Sequence, residues 1–356
     1  MLSGCSLSER AEFRLNTEGR DRERIEQAQL EAIDEALERL FGTPDEPKVP
    51  PGVDLDLRLL QAAAGPVASD EKGNQRGIFR QHCAVCHGIS GDGRGPAAAL
   101  LDPYPRDFRR GVLKYTSTAG GAKPAHDDLT RALLIGNADT AMPSFVNLPD
   151  NEIAALVEYV KYLSIRGETE LYLFSLVVDE DEYLPLDMDI VIEEGVLPVW
   201  QMWEDAQQTV VDQTEAERHV PSIDTPELLA ASIARGRELF LGKDAQCASC
   251  HGQEGNGRGE QSELHDDWNK AKVAVTDEQT ARLAPLFSLP LQRLWPRDFT
   301  KGIFHGGRRP IDLYWRIHVG IKGTPMPAGG PAPGNAGVFT PEEMWDLVNY
   351  VRSLKP

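Results

Sequence analysis

The chain has 356 residues, 41% of them hydrophobic, with 37 Lys+Arg against 56 Asp+Glu and a net charge of −19. At roughly 100–200 residues per domain it has room for two domains. So acidic a chain excludes nucleic-acid binding through phosphate contacts, and no apolar run approaches the ~20 residues that span a bilayer. Gly 32 and Pro 25 point to long ordered loops, and five Cys are too few for a disulfide scaffold.

Residues 1–71 are expected to form an N-terminal anchor, a helix and a Pro-rich linker. Leu2-Ser3-Gly4-Cys5 matches a bacterial lipobox, in which Cys5 is lipidated; the alternative is an incidental Cys. Only four residues precede Cys5, so the signal regions are expected upstream of this start. Residues 21–41 are expected as a charged amphipathic helix with Leu30, Ile33, Leu37 and Leu40 on one seam. It is either a spacer lying on its own globule or a docking helix for a membrane complex. Gly42–Pro51, with four prolines, is expected as a stiff linker.

Beyond this stretch four blocks occur twice in the same order. HCAVCHGISGDGRG from His82, YPRDFRRG from Tyr104, TAMPSF from Thr140 and NEIAALVEYVKYLS from Asn151 form the first copy. QCASCHGQEGNGRG from Gln246, WPRDFTKG from Trp295, TPMPA from Thr324 and TPEEMWDLVNYVRSLK from Thr340 form the second. Two homologous domains are expected, 72–166 and 231–356, with an insertion between about Asp267 and Leu294 as a surface excursion. Each closes on an amphipathic helix, with Ile153, Leu156, Val157, Val160 and Leu163 or Met344, Leu347, Val348, Val351 and Leu354 at helical steps. Thr340 and Pro341 mark the start of the second. Each copy is expected to open with a helix running into its cysteines, ending Ile78-Phe79 and Leu239-Phe240.

Between the copies, residues 167–230 hold 17 acidic side chains and one Arg, so nearly all of the negative excess lies in this connector. Its apolar residues, among them Leu173, Val177, Trp200 and Trp203, could pack on a neighbouring domain while the carboxylates face water. It is either a solvated spacer or a docking strip for a basic partner.

Cys83-Ala84-Val85-Cys86-His87 and Cys247-Ala248-Ser249-Cys250-His251 are both C-x-x-C-H, the c-type heme attachment pattern. Thiols three apart on one helical turn face the same way and can add to the two vinyl groups of one porphyrin, and the next residue meets the iron. A zinc site of two CxxC pairs would need them about 15–20 residues apart, whereas these are 164 apart. The other axial ligand separates a carrier from an enzyme. Met142 lies 55 residues after His87 and Met326 lies 75 after His251, both on Pro-flanked loops before the last helix. A thioether suits low-spin iron; core filling is the alternative. His82, His126, His305 and His318 are rival ligands. The GDGRG and GNGRG runs are expected as turns closing the heme slot, since no strand precedes them.

These residues resemble the class I c-type cytochromes, specifically the bacterial di-heme form with two fused domains, over about 220 of the 356 residues. The resemblance implies an all-α fold of two tandem cytochrome c-like domains, with N- and C-terminal helices crossing at a small-residue contact. It implies two heme c groups: one on Cys83 and Cys86 with His87 and Met142 on the iron, the other on Cys247 and Cys250 with His251 and Met326. Gly236 stands four before Phe240 at the expected crossing, but Gln75 stands before Phe79, so a shifted packing is expected in the first copy. Arg106 and Arg297 of the PRDF blocks either pair with heme propionates or cap a turn, while Asp107 and Asp298 hold the loop through backbone donors.

The function expected is electron transfer without bond chemistry, outside the cytoplasm on a lipid-anchored protein of a respiratory chain. Its partners would be redox proteins, a membrane oxidase or a quinol-oxidising complex. The alternative is a di-heme peroxidase-like enzyme in which one heme opens.

Overall fold

The computed structural model describes residues 11–17, 20, 25–69, 71, 73, 75–179, 184–261, 263–267 and 289–355. Cys5 and most of the insertion, residues 268–288, lie outside these. The chain is mostly helical, as the cytochrome-like reading expects, and the one sheet among the described residues pairs β1 (Ala68–Ser69) with β2 (Gln75–Arg76) antiparallel. No helix among the described residues is long and apolar enough to cross a membrane.

The backbone divides into two compact units. One comprises Met1–Leu100, Tyr104–Gly111 and Pro149–Trp200, the other Leu101–Pro103, Val112–Leu148 and Gln201–Pro356. These units do not coincide with the repeats: residues 112–148 of the first repeat belong with the second.

In the first unit, α1 (Gln27–Phe41) buries Ile33, Leu37 and Leu40 of the expected seam and leaves Leu30 half-buried. It lies along α6 (Asp150–Phe174), with the Phe41 ring edge-on to Tyr162 and the Tyr162 hydroxyl donating to the Phe41 carbonyl at 2.5 Å. The helix is therefore part of this unit's core; residues 21–24 of the expected span lie outside the described residues. Gly42–Pro51 is not a linker. Its Thr43 and Glu46 amides bond each other's carbonyls, Lys48 N bonds the Phe41 carbonyl, and Phe41 to Pro44 are buried. The prolines stiffen a packed turn. The short helix α2 (Leu57–Ala63), capped by Asp56, buries Leu60 and Ala63.

The first cysteine pair departs from expectation. Helix α3 begins at Ile78 and runs to His82, because Gly77 ahead of it is left-handed and Gln75 is in β2. Phe79 still meets the closing helix, 4.9 Å from the Tyr159 ring centroid. That helix, α6, runs 25 residues and crosses the expected boundary at 166 without a break. Gly167 allows this: a Cβ there would stand 2.3 Å from the Arg109 carbonyl oxygen. Residues beyond 166 are thus no free connector. Leu173, Phe174, Val177, Val191 and Val196 are fully buried, and Lys161 lies over the Trp200 ring.

In the second unit, Trp203 is buried on the later part of α7 (Leu197–Ala206), and the indole N–H groups of Trp315 and Trp345 donate to the carbonyls of Val211 and Ala216. The acidic segment's later half is therefore tied here, while Glu204, Asp205, Asp212, Glu215 and Glu217 face solvent. Helix α8 (Pro226–Leu241) crosses α11 (Pro341–Ser353) at Gly236, as the family pattern implies. Thr340 and Glu343 form a reciprocal capping box at the start of α11. Phe240, Tyr314, Trp345, Leu347 and Tyr350 fill the core between them. The insertion leaves and returns at one place, since His265 bridges Arg293 and Leu294 N bonds the Leu264 carbonyl at 2.7 Å.

Candidate heme sites

The two attachment motifs have the same local fold. Cys83 opens α4 (Ala84–His87), and Cys247 opens α9 (Cys247–His251). One helical turn presents both thiols and the histidine, as His87 N to the Cys83 carbonyl at 2.8 Å shows. A left-handed glycine then reverses the chain, Gly88 at φ 74° and Gly252 at φ 77°. A Cβ on either would stand 2.3 Å or 2.5 Å from Oδ1 of Asp92 or Asn256, which caps the Arg94 or Arg258 amide. Burial, above all, raises the Cys83 thiol to about 12 and the Cys247 thiol to about 11. Such protonated, buried thiols differ from the exposed, activated thiolates of redox cysteines.

The PRDF blocks hold the histidines. His87 Nδ1 donates to the Arg106 carbonyl at 2.9 Å and His251 Nδ1 to the Arg297 carbonyl at 3.2 Å. With Nδ1 carrying the proton, each Nε2 keeps a lone pair for a metal. The next aromatic stacks on each ring: Phe108 at 4.5 Å and 18° on His87, Phe299 at 4.6 Å and 24° on His251. Burial pulls the His87 pKa down to about 4 against the pull of its hydrogen bond, and lowers that of His251 as well. Both rings are therefore neutral, the form that ligates.

Asp107 and Asp298 do hold the loop through backbone donors, accepting from Arg109 N and Thr300 N at 3.0 Å. The guanidinium of Arg109, fully buried, also pairs with Asp107 at 2.7 Å. Arg109, Phe108 and Phe299 were not singled out by the sequence reading, although the PRDF block itself recurs. Arg106 and Arg297 are half-buried, and Arg297 Nη1 donates to Asp139 at 3.0 Å.

Met142 and Met326 sit on loops with the same hydrogen-bond pattern. The Met142 carbonyl accepts from Asn137 N at 3.0 Å and the Met326 carbonyl from Ile321 N at 3.1 Å. Each methionine amide donates to a threonine hydroxyl, Thr140 or Thr324, at 3.2 Å. Both side chains are half-buried on loops rather than in a helix core. His251 and Met326 belong to one compact unit, whereas His87 and Met142 fall in different ones. Of the rival histidines, His318 is committed elsewhere, with Nε2 donating to the Pro331 carbonyl at 2.9 Å. His82 is half-buried, and His126, which opens α5 (His126–Ile135), is exposed.

A heme brings two carboxylates as well as an iron, and the second unit has donors that fit them. Arg316 is half-buried on α10 (Pro310–Val319), with Nη2 donating to the Gly307 carbonyl at 3.1 Å. Its Nε and Nη1 have no hydrogen-bond partner among the described residues, nor does His305 Nε2. Burial lowers Arg316 to about 10 and His305 to about 4; Arg297, Lys114 and Arg316 add to the push on His305, against Asp139. Asp312 offsets only part of the cost of burying this guanidinium, and an anionic group beside its two unpaired nitrogens would offset more of it.

The cytochrome c family profile matches residues 72–164 and 233–355. No curated protein sequence matches the chain. A chain of the Kuenenia stuttgartiensis reducing HAO-like protein complex Kustc0457/Kustc0458 shares its fold, with a TM-score of 0.53 and 24% identity. The likeness covers 81% of this chain and 98% of that one. With paired C-x-x-C-H turns, carbonyl-held histidines and more than half its length inside the family profile, this chain belongs to the cytochrome c family and binds heme covalently.

Proposed function

We propose that this cytochrome carries two hemes c and transfers electrons between redox proteins outside the cytoplasm. Cys83 and Cys86 fix the first heme, with His87 and Met142 on its iron; Cys247, Cys250, His251 and Met326 do the same for the second. The observation that carries this reading is the matched pair of loops presenting Met142 and Met326, each locked by the same threonine and the same backbone bond. When bound, the heme supplies one-electron redox chemistry. The chain's own groups set its terms. The Arg106 and Arg297 carbonyls hold the imidazoles in one tautomer, Phe108 and Phe299 fix their ring planes, and the methionine loops close the far side to water. Arg106 and Arg297 are assigned to propionates; Arg297 spends one nitrogen on Asp139 and keeps the rest of its fork.

Attachment of this kind takes place outside the cytoplasm, so a periplasmic site is assigned, with a lipid on Cys5 as its membrane tether. The exposed carboxylates of residues 187–217 suit a basic partner, such as a respiratory oxidase or a quinol-oxidising complex.

The test is heme stoichiometry and spin state on the purified, mature protein. Two hemes per chain, both low-spin in the oxidised form and inert toward hydrogen peroxide, are expected. One heme per chain, or a high-spin centre that turns over peroxide, would replace the carrier by a di-heme enzyme.

A further inference from the structure

We infer that Arg297 is a positioning residue that ties the loop carrying Met142 to the histidine shelf of the second heme, so that the placement of this loop depends on that shelf. The inference rests on the ligand assignment proposed above.

Arg297 faces two ways. Its carbonyl accepts from His251 Nδ1 at 3.2 Å, and its Nη1 donates to Asp139 Oδ2 at 3.0 Å. Asp139 lies three residues before Met142. A second tie runs beside the first, with Gly306 N donating to Asn137 Oδ1 at 3.1 Å. Asn137 is the residue whose amide closes the Met142 loop and whose carbonyl accepts from Thr140. The first methionine loop is therefore pinned at both Asn137 and Asp139 to the stretch 297–306. That stretch also supplies Phe299, which stacks on His251.

The backbone of Asp139 supports a role for its carboxylate. The loop requires a left-handed residue at this position. The second copy satisfies the requirement with Gly323 at φ 72°, whereas the first uses Asp139 at φ 62°. Glycine adopts that conformation without strain and aspartate does not. A strained residue kept where glycine would serve points to its side chain, and what that side chain does here is bind Arg297. Gly323 has no side chain to return the contact to Arg106, so this link runs one way. The Met326 loop has a different tether, Lys322 Nζ to the Thr118 hydroxyl at 2.9 Å, which reaches no histidine shelf.

Asp139→Gly is the decisive variant, because it removes the carboxylate while relaxing the backbone. It is made alongside Arg297→Met, Arg297→Lys and the double variant Asp139→Gly/Arg297→Met. The readouts on the mature protein are the ring-current-shifted methyl resonance of each iron-bound methionine in the reduced state and the potential of each heme. Asp139→Gly and Arg297→Met should each shift or broaden the Met142 methyl signal and lower that heme's potential, leaving the Met326 signal in place. The double variant should add nothing, and Arg297→Lys should restore part of the effect. An unchanged Met142 signal and potential in Asp139→Gly would overturn the link, as would additive effects in the double variant. Met142→Ala serves as the control for the underlying assignment. If it leaves both methionine signals intact, the ligand reading has failed, and failed separately from the link.

Discussion

Gly236 lies against the backbone of Asp346: a Cβ at 236 would stand 2.0 Å from the Asp346 carbonyl oxygen. No rotamer relieves such a clash, so α8 and α11 would have to separate. Asp346 anchors the same crossing, accepting from the Ser232 hydroxyl at 2.5 Å and from Arg235 at 2.6 Å. Gly236→Ala is expected to cost about 3 kcal/mol of stability, at the upper end of overpacking effects. Chemical denaturation of the mature protein measures it. Gln75→Ala, at the corresponding place in the first repeat, should stay within about 0.5 kcal/mol, because Gln75 is exposed on β2. Equal losses at the two positions would show that the first repeat has an unrecognised crossing of its own.

Chemistry carried by side chains at fixed spacing was legible in the amino-acid order. The helical C-x-x-C-H turns and the capped start of α11 each need particular residues at particular intervals, and both stand where the pattern put them. What the PRDF arginines do for the histidines was not legible. They act through backbone carbonyls, which every residue possesses, so only the recurrence of the block hinted at a role. The run of α6 past 166 was hidden for a different reason. Gly167 and the acidic residues after it look like a helix end, yet Glu170 is buried beside Arg166 and Gly167 makes room for Arg109. Tertiary contacts overrode local preference there. The division at 112–148 depends on ties such as Arg131 over Trp315, which no local pattern encodes.

Met142→Ala and Met326→Ala should each convert one heme to a form that binds carbon monoxide and has a lower potential, because loss of thioether sulfur opens the iron and removes a ligand that favours the reduced state. Optical redox titration with and without carbon monoxide checks both. If Met326→Ala left both hemes unchanged, the second site would have another ligand.

Salt should slow electron delivery to a basic partner. Glu193, Glu194, Glu204 and Asp205 are all exposed, and steering by such surfaces raises association rates about 10-fold or more at low ionic strength. Stopped-flow rates across a salt series measure it, and a flat series would leave these carboxylates as a solvated surface only.

Arg166 and Glu170 form a buried pair at 3.0 Å on α6, the carboxylate also receiving the Asn16 amide and the guanidinium lying 4.2 Å from the Phe13 ring centroid. Burial raises the Glu170 pKa, and Arg166 opposes that rise. Arg166→Met strands the carboxylate and should cost about 3–5 kcal/mol at neutral pH. A carboxyl with a raised folded pKa binds more protons folded than unfolded, so its contribution to stability falls as pH rises through the window between the two values. Losing Arg166 raises the folded value further and widens that window. The gap between parent and variant should therefore narrow on acidification toward the ordinary carboxylate range. Denaturation midpoints at several pH values check it, and a gap that widens in acid would mean that Glu170 is held charged by other groups.

Arg316 gives a prediction whose sign reverses with the cofactor. Before heme is attached, its Nε and Nη1 are buried without a hydrogen-bond partner among the described residues, so Arg316→Met removes a charge that Asp312 compensates only in part and should stabilise the apoprotein by about 1–3 kcal/mol. Produced without the attachment machinery, the variant should melt above its parent. In the mature protein a heme propionate would be held by the same guanidinium, whose positive charge would favour the reduced iron. Arg316→Met should then lower the potential of the second heme and make the mature protein less stable than its parent. The Tyr115 ring, 5.5 Å from the guanidinium carbon, remains to cover the new methionine, so the apoprotein gain is not offset by a cavity. Stabilisation of both forms would mean that Arg316 has no anionic partner in either, and the propionate assignment would fall to Arg297 and its neighbours alone.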